Sequence, residues 1–413
     1  MTASPARLTP DNAPWMAAPE TRAVVAALTA GGRPVRFVGG CVRDALVGRP
    51  VSDVDLATPE PPPRVIDLLT AARIKAIPTG IEHGTVTAVA DHRPFEITTL
   101  RRDVETFGRH AVVAFTADWG EDAARRDFTI NALSADPDGA VHDFFGGLAD
   151  LAAGRVRFVG DAELRIREDV LRILRFFRFH AHYGRGAPDA DGFAACRTLA
   201  SLLPGLSGER IAAELKRLLA AVDPAATIET MRAAGILAPI LPELGDLARL
   251  RGMQALDLPA ARDPLVRLAA VLPDDAAVAG AVAERLRLSN DERDRLQVLA
   301  SPPAGLWPAR DERALRRALH RLGPATVRDL GLMAAARGDA ALGQAAAEAA
   351  AAWTPVVLPV RGQDALDLGV APGRQVGRLI EAVTAWWEEN DYQPDRGACL
   401  EKLKALVASE RAD

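Results

Sequence analysis

The first part of the chain carries short apolar runs, and the remainder carries longer segments in which apolar side chains recur at helical spacing. Residues 35–38 and 95–100 have the run length and alternation of strands. Residues 165–179 repeat apolar positions at intervals of three and four, as an amphipathic helix does. From about residue 223 onward, alanine- and leucine-rich segments alternate with prolines and glycines. The pattern predicts strands and helices first, and helices alone afterwards.

A tight turn connects the first predicted strand to a helix. Gly39 and Gly40 follow residues 35–38, and residues 41–47 predict a helix that Gly48 ends. A turn without side chains lets phosphate oxygens approach the free N–H groups at the start of a helix. Arg43 would add a fixed cation. This stretch therefore predicts a phosphate site.

Two aspartates follow on a second predicted strand, residues 52–56. Residues two apart on a strand share a face, so Asp53 and Asp55 are expected to project together. Adjacent carboxylates repel unless a proton or a cation lies between them, and hard oxygen ligands suit Mg²⁺. A solvated acidic strand edge is the simpler alternative. If the strand of Glu96 lies alongside, Glu96 is a third carboxylate that supports metals or accepts a proton; a surface glutamate is the equal alternative.

The sequence of residues 39–57, GGCVRDALVGRPVSDVDLA, resembles the signature of the polymerase β-type nucleotidyltransferases. It is most similar to that of the class II tRNA CCA-adding enzymes and bacterial poly(A) polymerases. The resemblance implies an α+β fold: a polymerase β-like nucleotidyltransferase head with a small mixed sheet, followed by an all-helical neck, body and tail. The expected boundaries are 1–152 for the catalytic head, 153–222 for the base-selecting neck, 223–352 for the body and 353–413 for the tRNA-binding tail.

Residues 125–133, RRDFTINAL, match a second motif of this family. The planar fork of arginine suits triphosphate oxygens, and an aspartate can accept from a ribose hydroxyl. A surface ion pair that contributes little is the alternative. The match implies that Arg126 contacts phosphate and that Asp127 lies near the sugar, with Asn131 in the same nucleotide-binding group.

Residues 165–179 predict one continuous amphipathic helix. Its apolar face comprises Val170, Leu171, Ile173, Leu174 and Phe177. Its polar face comprises Glu168, Asp169, Arg172 and Arg175, with Arg178 at the edge. Internal ion pairs would explain such a helix. Three arginines at intervals of three, just after an aspartate, exceed what solubility requires.

The sequence EDVLRILRFFRF, residues 168–179, resembles the family helix that selects the incoming base. The resemblance implies that Asp169 accepts from the amino group of cytosine or adenine while Arg172 donates to the adjacent ring nitrogen. Guanine and uracil carry a carbonyl in place of the amino group and a ring N–H in place of the acceptor nitrogen, so neither contact can form. A site built from buried polar side chains rejects such analogues strongly. Arg175 and Arg178 are expected to assist.

Other segments are assigned on the same resemblance. Residues 78–86, PTGIEHGTV, favour the CCA-adding branch, and residues 101–118 correspond to a flexible loop that is expected to gate closure. Residues 143–151 predict a hinge or a simple turn, and residues 208–219 have an expected structural role in the neck. In the tail, backbone N–H groups near residue 373, with Arg374 and Arg378, are expected to bind RNA phosphate.

Composition excludes several classes of protein. The chain has 413 residues, a formal net charge of −5 and three cysteines far apart, so neither a general polybasic surface nor a disulfide framework or zinc cluster is expected. Any RNA must be bound by local basic patches. The N-terminus lacks the pattern of a secretory signal, and no apolar run is long enough for a membrane span. We expect a cytoplasmic protein that needs no membrane or obligate protein partner.

The predicted reaction is addition of C, C and A to the 3′ end of tRNA, from CTP and ATP, with Mg²⁺ and without a nucleic-acid template. A poly(A) polymerase, or an enzyme that adds only CC or only A, is the alternative on the same scaffold. A non-catalytic RNA- or nucleotide-binding protein is a third hypothesis, which the paired aspartates disfavour. His142 forms the only His-Asp pair in the sequence, so no additional phosphohydrolase domain is expected.

Overall fold

The computed structural model describes residues 6–107 and 110–412, and this part of the chain divides into two compact units. Unit 1 contains the described residues up to Leu244 together with Arg285–Leu288. Unit 2 contains Gly245–Glu284 and the described residues from Ser289 onward. The four-part division into head, neck, body and tail is finer than this one and stays a prediction.

The strands of the described chain all lie in unit 1. They are β1 (Arg36–Val38), β2 (Asp55–Thr58), β3 (Lys75–Gly80), β4 (Thr85–Ala90), β5 (Arg93–Thr99), β6 (Arg101–Phe107), β7 (His110–Phe115), β8 (Ser134–Ala135) and β9 (Val141–His142). Seven of these described strands form one sheet in the order β3-β4-β5-β2-β1-β8-β9, in which β2 and β5 are parallel and the other neighbours antiparallel. The predicted α+β class with a small mixed sheet is confirmed.

Apart from the strands, the regular structure of the described chain consists of helices. Those of unit 1 are α1 (Pro19–Thr29), α2 (Gly40–Leu46), α3 (Pro62–Ala71), α4 (Trp119–Ala124), α5 (Gly147–Ala153), α6 (Ala162–Glu168), α7 (Arg172–Tyr183), α8 (Ala190–Leu199), α9 (Gly208–Leu219) and α10 (Pro224–Ala233). Later in the chain come α11 (Ala248–Ala255), α12 (Pro264–Ala270), α13 (Ala276–Arg285), α14 (Asn290–Ala300), α15 (Glu312–Leu322), α16 (Pro324–Ala336), α17 (Ala340–Ala352), α18 (Gly362–Asp367), α19 (Arg374–Glu389) and α20 (Arg396–Ala412). Within the described ranges, no helix combines the length and apolar character that a bilayer span requires.

The predicted second strand begins later than expected. Residues 52–54 are not in a strand, and β2 starts at Asp55, so the predicted strand over residues 52–56 begins too early. Asp53 still lies close enough to raise the pKa of Asp55, and the expectation that the two carboxylates project together stays a prediction. The cause lies in the partner strand. Leu56 pairs with Phe37 of β1, but the chain turns into α2 after Val38, so earlier residues have no continuing partner on that side.

The predicted helix over residues 165–179 is interrupted. α6 ends at Glu168 and α7 begins at Arg172, while Asp169 between them has extended backbone (φ −150°, ψ 106°). The Asp169 carboxylate accepts a hydrogen bond from the Leu171 N–H at 3.1 Å. Aspartate competes in this way with the helical backbone, which explains why periodicity alone missed the break.

The predicted loop over residues 101–118 also differs from expectation. β6 and β7 pair as antiparallel strands there, and residues 108–109 lie outside the described residues. The expected gating role of this segment stays a prediction.

Four phenylalanines connect the sheet-bearing part of unit 1 to α7. Phe128 is fully buried, and its ring centroid lies 4.9 Å from that of Phe158 and 5.2 Å from that of Phe179. Phe158 also stacks on Phe176 at 5.6 Å. This cluster fixes the position of α7 relative to the residues next to Phe128, which include Asp127.

Phe128→Ala is expected to lower the local unfolding free energy of unit 1 by about 3–5 kcal/mol, because it removes buried aromatic area and leaves a cavity. Hydrogen exchange of the β1 and α7 amides measures that free energy directly. Leu164→Ala is the matched control, since Leu164 is 63% exposed. Equal exchange rates in the two variants would contradict the assignment.

Candidate active site

A cavity of about 480 Å³ opens in unit 1 and gathers most of the predicted nucleotide-binding residues. Its described lining includes Gly39, Gly40, Arg43, Arg125, Arg126, Asp127, Asn131, Asp169, Leu171, Arg172, Arg175, Phe179 and Arg210. Six of these described residues are arginines and two are aspartates. The local charge is therefore strongly positive in a chain whose formal net charge is −5, and it suits a ligand with several phosphate charges.

Gly39 forms the predicted turn between β1 and α2. Its φ of +68° is a backbone conformation that favours glycine. A Cβ atom at this position would lie 2.8 Å from Nη1 of Arg126. Glycine is thus required both for the turn and for the close approach of Arg126.

Arg43 is buried and held on two sides. Its Nε and Nη2 donate to the Asp44 carboxylate at 3.0 and 2.9 Å, and its Nη1 donates to the side-chain oxygen of Asn131. Asn131 in turn donates to Asp127 at 2.8 Å. The predicted cation is therefore fixed relative to the second motif.

Arg126 is oriented by a residue that the sequence analysis did not single out. Asp122 of α4 is buried, and it accepts from Nη2 of Arg126 at 3.3 Å and from Nε of Arg125 at 2.9 Å. Burial alone would raise the pKa of Asp122, but the two guanidinium groups hold it below its ordinary value. Asp122 is thus ionised and aligns both arginines at the cavity wall.

Asp127 accepts four hydrogen bonds. They come from the Phe128 N–H at 2.9 Å, from Asn131 at 2.8 Å, and from Nε, at 2.8 Å, and Nη2 of Arg175. Burial raises the pKa of this carboxyl, but Arg175 and Asn131 outweigh burial and hold it below its ordinary value. About four acceptor positions are available on a carboxylate, so all are engaged. The expected sugar contact of Asp127 stays a prediction.

The two predicted base-selecting residues both line the cavity but have different partners. Arg172 donates through Nη1 to the Arg165 carbonyl at 2.7 Å and pairs with Glu168. Asp169 accepts from Nη2 of Arg210 at 2.8 and 3.0 Å. Arg210 lies in α9, 41 residues away, and no local pattern in the sequence indicated this pairing.

Arg178 does not line the cavity. Its Nε lies 2.7 Å from Oε2 of Glu214, a buried residue of α9 that also lies 3.9 Å from Arg175. Arg178 is therefore connected to the cavity only indirectly, through the Glu214 carboxylate that it shares with Arg175.

The predicted metal carboxylates Asp53, Asp55 and Glu96 are not part of the described cavity lining, but Asp55 is close enough to the lining residue Arg126 for the two charges to interact. Asp55 is opposite Glu96 in the parallel pairing of β2 and β5, and Asp53 is exposed just before β2. Burial, Glu96 and Asp53 raise the pKa of Asp55 to about 6, and Arg126 opposes them. This crowding of negative charge would be relieved by a cation. In the described ranges, no three His, Cys, Asp or Glu side chains form a closed metal site, so a cation would need further ligands from water or substrate.

Arg374 and Arg378 belong to unit 2, at the start of α19. Both are exposed, and Gly373 precedes the helix with a φ of +142°. They take no part in the unit 1 cavity, and their predicted contact with RNA phosphate stays a prediction.

The whole chain has relatives among known proteins. Residues 35–157 match the poly A polymerase head domain, and residues 188–247 match the family described as the probable RNA and SrmB-binding site of polymerase A. The mitochondrial CCA tRNA nucleotidyltransferase 1 of Danio rerio is 34% identical over 381 residues, which are 89% of this chain and 86% of the relative. This chain belongs to the CCA tRNA nucleotidyltransferase family.

Bacterial members of the family support this assignment. The CCA-adding enzyme of Streptococcus sanguinis is 41% identical over 237 residues, 56% of this chain and 57% of that protein. The structure of the Bacillus stearothermophilus CCA-adding enzyme in complex with CTP superposes with a TM-score of 0.77 at 26% identity, covering 95% of this chain and 98% of that one. The predicted family and the predicted enzyme class, nucleotidyltransferase, are confirmed. The family is generally metal-dependent.

Gly39→Ala is expected to weaken triphosphate binding about 10-fold or more, because the turn is strained and Arg126 must move. Gly48→Ala is the matched control: Gly48 has a φ of +69°, but a Cβ atom there would meet no other atom within 4 Å, and Gly48 has no place in the cavity lining. Titration of both variants with CTP measures the difference. Equal affinities would show that the proximity of Arg126 is unimportant.

Proposed function

We propose that this enzyme adds C, C and A from CTP and ATP to the 3′ end of tRNA, without a nucleic-acid template, and releases pyrophosphate. The observation that supports this most is a single cavity that combines the Gly39 turn, Arg126 and the pair Asp169 and Arg172, with Asp55 beside it. Phosphate-binding, base-reading and acidic groups are thus adjacent. The names of the relatives refer to CCA addition, and one structural relative was solved with CTP.

The triphosphate is bound by the glycine turn and the fixed arginines. The Gly39 N–H already donates to the Leu133 carbonyl at 3.0 Å, so the backbone donor proposed for phosphate is the Gly40 N–H at the start of α2. Arg43 and Arg126 supply positive charge. Because Asp44, Asn131 and Asp122 already orient these guanidinium groups, little side-chain entropy remains to be lost on binding.

The carboxylates fit a magnesium site. Asp53 and Asp55 would hold Mg²⁺, with Glu96 beside Asp55, and an ion that keeps several water and phosphate ligands does not need a closed protein cage. When bound, Mg²⁺ stabilises charge on the reacting phosphate and favours deprotonation of the attacking 3′-hydroxyl. Glu96 is exposed on β5 and is proposed to support this site or to accept the proton.

Asp169 and Arg172 are proposed to read the base. Asp169 accepts from the amino group that cytosine and adenine share, and Arg172 donates to the neighbouring ring nitrogen. The Nη1 atom of Arg172 is engaged by Arg165 and Glu168, and its Nε and Nη2 provide further donors. Arg175 and Arg178 support α7 through Asp127 and Glu214.

The tRNA body is proposed to contact unit 2 through Arg374 and Arg378, the two exposed arginines at the start of α19. A cytoplasmic location also stays a proposal, because the relatives include mitochondrial proteins.

The function is tested with tRNA that ends at the discriminator base, incubated with Mg²⁺ and with CTP and ATP separately and together. Sequencing of the 3′ ends is expected to show CC with CTP alone and CCA with both. Long A tails would assign the chain to poly(A) polymerase, which the match of residues 35–157 keeps as the second candidate. Addition of CC or A alone would indicate a split activity, and no extension would indicate a binding protein.

Asp55→Asn is expected to lower the rate of nucleotide addition by about 100- to 1,000-fold, because a group that stabilises charge in the transition state is lost. Binding of tRNA, measured by filter retention, should be nearly unchanged. Asp67→Asn, at an exposed carboxylate of α3, is the matched control. Near-normal turnover of the Asp55 variant would refute the metal assignment.

A further inference from the structure

Asp169 occupies an unusual position for a residue that must discriminate between bases. Its backbone is extended and lies between α6 and α7, so neither helix determines the direction of its side chain. Two contacts hold the carboxylate instead. One is local, from the Leu171 N–H at 3.1 Å, and the other is from Nη2 of Arg210 at 2.8 and 3.0 Å.

Arg210 is well suited to hold this carboxylate. It is the third residue of α9, and its side chain is 25% exposed where it lines the cavity. Within the described residues its guanidinium has no other hydrogen-bond or ion-pair partner than Asp169. The other cavity arginines at this end, Arg172 and Arg175, pair with Glu168 and Asp127. The contact between α9 and Asp169 is therefore specific.

The geometry leaves the Asp169 carboxylate able to accept one further hydrogen bond. A carboxylate offers about four acceptor positions. Leu171 takes one position on Oδ1, and Nη2 of Arg210 contacts both Oδ1 and Oδ2. An acceptor position on Oδ2 remains for an amino group. A guanidinium only donates, so Arg210 can align the carboxylate as an acceptor but cannot substitute for it.

We propose that Arg210 is a positioning residue for base specificity: it holds the Asp169 carboxylate in the direction from which it accepts the amino group of cytosine or adenine. This inference rests on the proposed function. Without Arg210, only the Leu171 N–H would hold the side chain, and Asp169 would turn between several rotamers. Discrimination against uracil and guanine would then fall, because it depends on an unpaired, fixed acceptor that meets their carbonyl groups.

The test compares kcat/KM for CTP with that for UTP, and for ATP with that for GTP, in the full-length protein with tRNA that lacks the corresponding 3′ nucleotide. In Arg210→Met the preference for CTP over UTP is expected to fall about 10- to 100-fold, the range for loss of a hydrogen bond to a charged group. Arg210→Lys keeps a positive charge and N–H donors but loses the planar guanidinium fork, and it should recover part of the preference. Because the preference is a ratio of rates in one sample, a smaller folded fraction does not change it.

A double-mutant cycle separates positioning from a general structural effect. If Arg210 acts through Asp169, then Asp169→Ala combined with Arg210→Met has the same nucleotide preference as Asp169→Ala alone. If Arg210→Met lowered the nucleotide preference of the Asp169→Ala variant by the same factor as that of the wild-type protein, the proposal would be overturned. Arg232→Met removes an ion pair with Glu229 on α10, outside the cavity, and is the control that should leave the preference unchanged.

Failure of this inference differs from failure of the proposed function. If the wild-type protein adds CCA selectively and Arg210→Met keeps that selectivity, Arg210 has no positioning role and the function stands. If the wild-type protein does not extend tRNA, or extends it without nucleotide preference, the function is wrong and the role of Arg210 falls with it.

Discussion

The buried Asp127 carboxylate is the interaction on which the rest of the site depends. Its four donors come from its own backbone neighbour Phe128, from the turn at Asn131 and from Arg175 of α7. A buried charge that lost one of these partners would be costly, so the segments that carry them can assemble in only one arrangement. Asn131 also accepts from Arg43, which transmits this arrangement to the glycine turn. The residues proposed to bind phosphate and the helix that carries the proposed base-reading residue Arg172 are thus positioned by one network.

The cavity also explains how a chain with a formal net charge of −5 can bind a polyanion. Its arginines are not free charges, because Asp122, Asp127, Glu168 and Asp169 each hold one or two of them. A guanidinium has five N–H donors, and a single carboxylate engages only one or two. The acidic partners therefore orient the arginines and reduce their mutual repulsion while leaving donors for the ligand. Local geometry, rather than overall charge, produces the anion site.

Sequence patterns predicted the elements of this site better than the contacts between them. The Gly39 turn and helix α2 followed from local periodicity and glycine positions, which are properties of adjacent residues. The mixed sheet followed from the family resemblance. The start of β2 did not follow from local sequence, because it depends on where its partner strand β1 ends. The break at Asp169 was missed because the apolar spacing continues across it. Asp122 pairs with arginines only three and four residues later, a spacing that the sequence does contain and that could have indicated its role. Glu214 and Arg210 pair with residues of other segments, and a single sequence contains no local signal of such pairs.

The interruption between α6 and α7 has a consequence for base selection. In a continuous helix, Asp169 and Arg172 would be three residues apart on one face and would pair with each other. Their donor and acceptor groups would then be used within the protein. The extended backbone at Asp169 separates them, and each finds a different partner: Arg210 for Asp169 and Glu168 for Arg172. An acceptor and a donor thus remain available in the same cavity, which is the combination that the proposed recognition of cytosine and adenine requires.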